Sequence, residues 1–185
     1  MRIVAGRHRG RKLVAPEGAT TRPTGERMRQ ALFDMLWHAP WAGRAAIEGH
    51  AVLDAFAGTG ALGLEALSRG AATACFIEQD RAALAALRAN IAACREDAAS
   101  QVLPVDATRP PRAKALCSLV FLDPPYAKDL VPRALAALGA AGWIAPSALI
   151  CAETGRDEDP ALPDFTLLAE RTHGAARILV LRAPG

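Results

Sequence analysis

The chain has 185 residues, 51% apolar and 22% charged, enough apolar material to fill one core and too little length for two large domains. Its 22 Lys plus Arg face 19 Asp plus Glu, which excludes a highly charged disordered chain. The near-balance hides an asymmetry: residues 1–44 hold nine basic and three acidic side chains. A basic segment ahead of a mildly acidic body points to a polyanion, nucleic acid, as the N-terminal partner.

Arg2-Ile3-Val4-Ala5 and Arg11-Lys12-Leu13-Val14 read as two short strands around a turn holding Arg7, His8 and Arg9, a basic hairpin. After an irregular Pro16–Pro23 stretch, Thr24 can cap a helix from about Gly25 to His38, with Met28, Ala31, Leu32, Met35 and Leu36 as its apolar stripe. From residue 50 onward, apolar runs alternate with alanine-rich segments. Strands are expected near Ala51–Phe56, Ala72–Glu78, Gln101–Asp106, Ser118–Asp123, Ala148–Glu153, Thr166–Arg171 and Arg177–Arg182, and helices near Ala61–Arg69, Arg81–Ala93 and Leu130–Leu138. This alternation predicts an α/β fold with a mostly parallel sheet covered on both faces, and an antiparallel hairpin of the last two strands at the sheet edge. Residues 134–152 are uncharged, but Gly139, Gly142, Pro146 and Ser147 make them a helix end, a turn and a strand rather than a membrane span. No membrane partner is expected, and the charged N-terminus does not read as a secretory signal. The cysteines Cys75, Cys94, Cys117 and Cys151 lack zinc spacing and read as buried reduced thiols of a cytoplasmic protein, with no metal site.

Two loops carry the chemistry. Val52-Leu53-Asp54-Ala55-Phe56-Ala57-Gly58-Thr59-Gly60-Ala61-Leu62-Gly63 is a strand, a glycine turn and a helix start, the arrangement that lets backbone approach a ligand. Eighteen residues past Gly60, Glu78 ends the next strand, where an acid accepts the two ribose hydroxyls of an adenosine; the plain alternative is a surface acid at a strand end. The pair suits a nicotinamide dinucleotide or S-adenosylmethionine. Asp54 favours the second, because a carboxylate beside the turn repels a pyrophosphate and attracts an ammonium and a sulfonium. Phe56, Gly58 and Gly60 belong to the same candidate site. Asp106, followed by Ala107, stands where it accepts from an adenine amine or simply caps a strand end.

Leu119-Val120-Phe121-Leu122-Asp123-Pro124-Pro125-Tyr126 is the more specific signal. Two prolines fix the backbone and remove N–H donors, so the Asp123 carboxylate and the Pro124 carbonyl are left to accept both hydrogens of an exocyclic amine. Orientation is what such a reaction needs, because the amine is a poor nucleophile and the methyl donor is already activated. Tyr126 offers a ring on which an extruded base stacks.

These motifs resemble the class I methyltransferases of the amino-directed group, with their [Asp/Asn/Ser]-Pro-Pro-[Tyr/Phe/Trp] signature. More closely, Arg2–Gly6, Arg9–Leu13, Thr21–Thr24, Ala31–Phe33, the segment Asp54–Ala71 and Asp123–Tyr126 resemble the RsmD family of bacterial 16S rRNA (guanine-N2)-methyltransferases. The resemblance spans essentially the whole chain. Gln30, Asp34 and Thr59 depart from the residues usual there. It implies a Rossmann-like, seven-stranded catalytic domain over residues 45–185, preceded by an RNA-contacting extension over residues 1–44. It also implies S-adenosylmethionine as methyl donor and N2-methylation of one guanine (966 in conventional rRNA numbering) in the assembling 30S subunit, by a protein expected to be a monomer. Thr24 is thereby placed beside the cofactor. Arg7, Arg9, Arg11, Lys12 and Arg22 are the candidate phosphate contacts, against the alternative of a solvated face. Competing readings are an N6-adenine DNA methyltransferase sharing the Asp123 loop, a nicotinamide oxidoreductase and a catalytically silent RNA-binding assembly factor.

Overall fold

The computed structural model describes residues 1–16, 23–126 and 129–185, with side chains of the first helix described from Gly25 onward. Seven strands, β1 (Ala51–Ala55), β2 (Thr73–Ile77), β3 (Ser100–Leu103), β4 (Cys117–Leu122), β5 (Ile144–Gly155), β6 (Thr166–His173) and β7 (Ala176–Arg182), form one sheet in the order β3-β2-β1-β4-β5-β7-β6. β1 to β5 pair in parallel with their neighbours. β7 runs antiparallel between β5 and β6, which is the expected mixed architecture of a Rossmann-like class I methyltransferase fold. Four helices accompany the sheet: α1 (Pro23–His38), α2 (Ala61–Ser68), α3 (Arg81–Cys94) and α4 (Leu130–Ala140).

Both faces of the sheet are covered, so its strands need continuous apolar runs. On one face Leu32, Phe33 and Leu36 of α1, Leu64 and Leu67 of α2, and Leu84, Leu87 and Ile91 of α3 pack against Val52, Phe76, Leu119 and Phe121. Ile3 and Leu13 of the N-terminal hairpin join this same core. On the other face α4 and Trp143 cover Leu53, Ile77, Val120 and Ile150. The rings of Phe33 and Phe121 lie 5.4 Å apart at 47°. All four cysteines are buried and free. Among the described residues no helix is long and apolar enough to cross a membrane.

Four boundaries differ from the sequence expectation, each for a local reason. α1 starts at Pro23, a residue suited to a first helical position because its missing N–H is unneeded there. Thr24 is therefore inside the first turn and is not the cap. β3 stops at Leu103 instead of Asp106, because Pro104 has no N–H and that of Val105 turns back to the Leu103 carbonyl at 3.0 Å. β5 begins early, at Ile144, across a register shift in which Ser147 takes a positive φ of 58°. The N-terminal hairpin is thinner than two strands: one bridge pairs Arg2 with Lys12, since the N–H groups of Val4 and Ala5 are drawn off to Glu65.

Glu65 is the hub of that attachment. It is fully buried on α2 and accepts from Val4 N–H at 2.8 Å, Ala5 N–H at 3.0 Å and Arg69 Nε at 2.9 Å. Arg29 of α1 lies 3.5 Å away through Nε and donates through Nη2 to the Arg2 carbonyl. The turn of the hairpin is pressed onto the end of α2, where the Arg7 N–H donates to the Ser68 carbonyl at 2.8 Å. A Cβ on Gly6 would lie 1.9 Å from that carbonyl oxygen, so only glycine allows the approach.

Candidate functional site

Strand order reverses between β1 and β4, and in open α/β sheets the crevice at the carboxyl ends of such a pair is where ligands bind. The glycine loop leaves β1 there, and the Asp123 loop leaves β4 beside it. Phe56 turns the chain with a positive φ of 65°, and Gly60 begins α2 in the left-handed region with no side chain to cap it. Asp54 supplies the cap from below, accepting the Gly63 N–H at 2.8 Å. Burial pushes the Asp54 carboxyl well above the usual carboxylate range; the Gly63 bond opposes that rise, and the charges of Asp123 and Glu78 add to it.

Glu78, just past the end of β2, fastens the loop. Its Oε2 accepts the Gly58 N–H at 2.7 Å, and its Oε1 accepts those of Gln79 and Asp80 at 2.8 Å each. Asp80 then caps α3 by accepting from Ala83 N–H at 2.8 Å. Thus the acid read as a ribose acceptor also welds the glycine turn to the start of α3.

A cavity of about 860 Å³ opens over these elements. Phe56, Gly58, Glu78 and Ala107 line it from one side, Asp123, Pro124, Pro125 and Tyr126 from the other. A deeper lobe of about 250 Å³ shares Phe56, Gly58, Asp123 and Glu153 with it and reaches Asp54 and Arg29. Gly60 and Asp106 line neither lobe. Asp106 instead accepts the Thr108 N–H at 2.8 Å, and that bond holds its carboxyl below the ordinary value. Its immediate neighbours Val105 and Ala107 form the wall. Thr24 lies in the first turn of α1, next to the lining residue Gly25, with its side chain outside the described residues; Arg22 lies outside them altogether.

Three contributors escape sequence reading. Met1 and Met28 close the cavity from the hairpin and α1, and the turn from His173 to Ala176 closes it from the edge strands. The third is Glu153 on β5, which lines both lobes and accepts the Tyr126 hydroxyl at Oε1. Its signal was an acid directly after an apolar run, the pattern of Glu78 and Asp123. The Asp123 carboxyl is pushed up to about 7, first by the protein around it and then by the charge of Glu153. Its side chain is exposed to the cleft, so solvent screening draws that value back toward the ordinary one.

The charge of the cleft decides which ligands fit. Asp54, Glu78, Asp80, Asp123 and Glu153 line its two lobes, with His173 and Arg29 as the basic members among the described residues. Such a wall disfavours a pyrophosphate and suits a cationic ligand.

The basic turn of the hairpin lies away from the cleft that Met1 helps to close. Arg7, His8, Arg9, Arg11 and Lys12 surround a shallow groove with Ala93 of α3, beside the ends of α2 and α3 remote from the glycine loop. Arg7 is committed to Glu96, at 2.6 Å, and His8 meets the same carboxylate at 2.5 Å. Arg9, Arg11 and Lys12 are exposed.

The family model of conserved hypothetical protein 95 matches residues 1–182. The chain belongs to this, the RsmD family. Among RsmD relatives, a Haemophilus influenzae protein named ribosomal RNA small subunit methyltransferase D is 37% identical, over 94% of this chain and 89% of its own. The Escherichia coli protein of the same name is 38% identical over 94% and 85%. In three dimensions the chain resembles Escherichia coli yhhF, provisionally described as a methyltransferase, with a TM-score of 0.83 and 35% identity over 100% of this chain and 98% of the other.

Proposed function

We propose that this RsmD-family chain transfers a methyl group from S-adenosylmethionine to the exocyclic N2 of a guanine in 16S rRNA, guanine 966 by family resemblance, in the assembling 30S subunit. The observation that carries the reading is the single acidic cleft joining the glycine loop to the Asp123-Pro124-Pro125-Tyr126 loop. Bound there, S-adenosylmethionine supplies a methyl group activated by a sulfonium, and its cationic centres complement Glu78, Asp80, Asp123 and Glu153, with Asp54 favoured in its neutral form by burial. Gly58 permits close approach, and Glu78 serves the ribose hydroxyls while holding the loop. Asp123 and the Pro124 carbonyl accept from the amine and set its lone pair toward the donor side of the cleft, where fixed orientation supplies the rate. Tyr126 stacks the extruded base. A carboxyl raised toward neutrality also suits Asp123 to take the proton that the amine sheds.

Arg9, Arg11 and Lys12 serve the phosphates from outside the cleft, so the acidic pocket meets only the base. The names of the curated relatives support an rRNA substrate, and a bacterial rRNA substrate implies work in the cytoplasm. Nothing in the cleft favours adenine in DNA, the alternative substrate of such a loop. Incubation with labelled methyl donor and small subunits from cells lacking this activity tests the reading. Label recovered as N2-methylguanine in 16S rRNA is expected; label in DNA, or in neither, contradicts it.

A further inference from the structure

β4 and β5 are parallel neighbours whose paired register ends with Leu122 opposite Ala152. The residue after each is an acid, Asp123 just past the end of β4 and Glu153 still within β5, where it pairs with Ile178 of β7, so the two acids stand side by side at the carboxyl edge of β4. Both line the two lobes of the cleft. This placement has a cost: the charge of Glu153 is one of the two causes raising the Asp123 carboxyl. A partner for the Tyr126 hydroxyl does not require it, since any neutral acceptor would satisfy one phenol. The hydroxyl occupies Oε1 of Glu153, and Oε2 has no hydrogen bond among the described residues. Two neighbouring carboxylates that only accept, beside a proline carbonyl that only accepts, make a wall suited to a run of donors.

Among the amino-bearing bases, only guanine presents such a run. Its N1–H stands next to its N2 amine, whereas adenine and cytosine place a ring-nitrogen lone pair beside the amine. Resting on the guanine-N2 reading above, we infer that Glu153 is the specificity-determining contact: its free carboxylate oxygen accepts the guanine N1–H while Asp123 and the Pro124 carbonyl hold the N2 amine. A base with a lone pair at N1 then meets a carboxylate lone pair and loses a charge-assisted bond. The Tyr126 hydroxyl, bound to the other oxygen, sets the Glu153 rotamer and so links the stacking ring to the edge it reads.

The test uses small subunits reconstituted on ligated 16S rRNA carrying either guanine or 2,6-diaminopurine at the target position. The two bases share the N2 amine and differ at N1 and at C6, where a carbonyl becomes an amine, so the comparison of wild type with Glu153→Gln is what isolates N1. Wild type is expected to favour guanine in kcat/KM by about 10- to 100-fold, the worth of one hydrogen bond to a charged group. Glu153→Gln, whose amide donates to a lone pair at N1, is expected to shrink that ratio by about 10-fold or more, a change that a merely structural role for Glu153 would not produce. Equal rates for the two bases with wild type overturn the inference without needing any variant. So does a guanine preference unchanged in Glu153→Gln, and in both cases guanine methylation itself survives. If wild type leaves guanine unmethylated, the guanine-N2 reading falls and takes this inference with it.

Discussion

In the folded chain the surrounding protein and the charge of Glu153 raise the Asp123 carboxyl above its ordinary 3.8, toward but short of about 7 because the side chain is open to the cleft. Between about pH 4 and about pH 7 the folded state therefore binds more protons than the unfolded one, and this group makes stability fall as pH rises through that window. Asp123→Asn removes the slope. Melting temperatures taken from about pH 4 to about pH 8 should show the variant gaining on wild type as pH rises and converging with it at the acid end; a gap independent of pH contradicts the assignment. The residues of the two loops were legible because glycine and proline carry backbone meaning at short range. Glu153 was not, because its importance comes from standing beside Asp123 on a neighbouring strand, 30 positions away in the chain. The second task of Glu78, holding the Gly58 N–H, was equally hidden, since an acid at a strand end looks the same whether it faces ribose or backbone.

The strands and helices of the body were readable because a sheet covered on both faces demands apolar runs, and alanine-rich segments between them have no better alternative than helix. Where the reading overshot at β3, the missing N–H of Pro104 decided the matter. How the N-terminal segment is attached could not be read, because it depends on Glu65 meeting backbone donors about sixty positions earlier. That carboxylate is sealed from water with Arg29 and Arg69 against it, and Arg69 also lies over the Phe33 ring at 4.8 Å. Removing one member of such a cluster strands the others. Glu65→Ala should therefore lower unfolding stability by about 3–5 kcal/mol, measured by denaturant titration. A loss under about 1 kcal/mol would mean that the hairpin and α1 are held by apolar contacts alone.

For the molecule as a whole, the near-neutral total divides into an acidic cleft and a basic hairpin at opposite ends of α2 and α3. Of the five candidate phosphate contacts, Arg7 is engaged by Glu96 and Arg22 lies outside the described residues, which leaves Arg9, Arg11 and Lys12 as the proposed contacts. Alanine at these three should reduce the dependence of RNA binding on salt by about one log–log unit for each phosphate no longer held, while Arg7→Ala should chiefly destabilise the buried Glu96. An unchanged salt slope in the triple variant would return these side chains to the role of a solvated face. On the proposed function, one cleft has two separable tasks, holding a methyl donor on the glycine loop and orienting a guanine amine on the Asp123 loop. The most direct test is Asp123→Ala, followed by calorimetry with S-adenosylmethionine and by methyl transfer to small-subunit RNA. Donor affinity within a few-fold of wild type, together with loss of transfer, is the expected result; undiminished transfer would contradict the account.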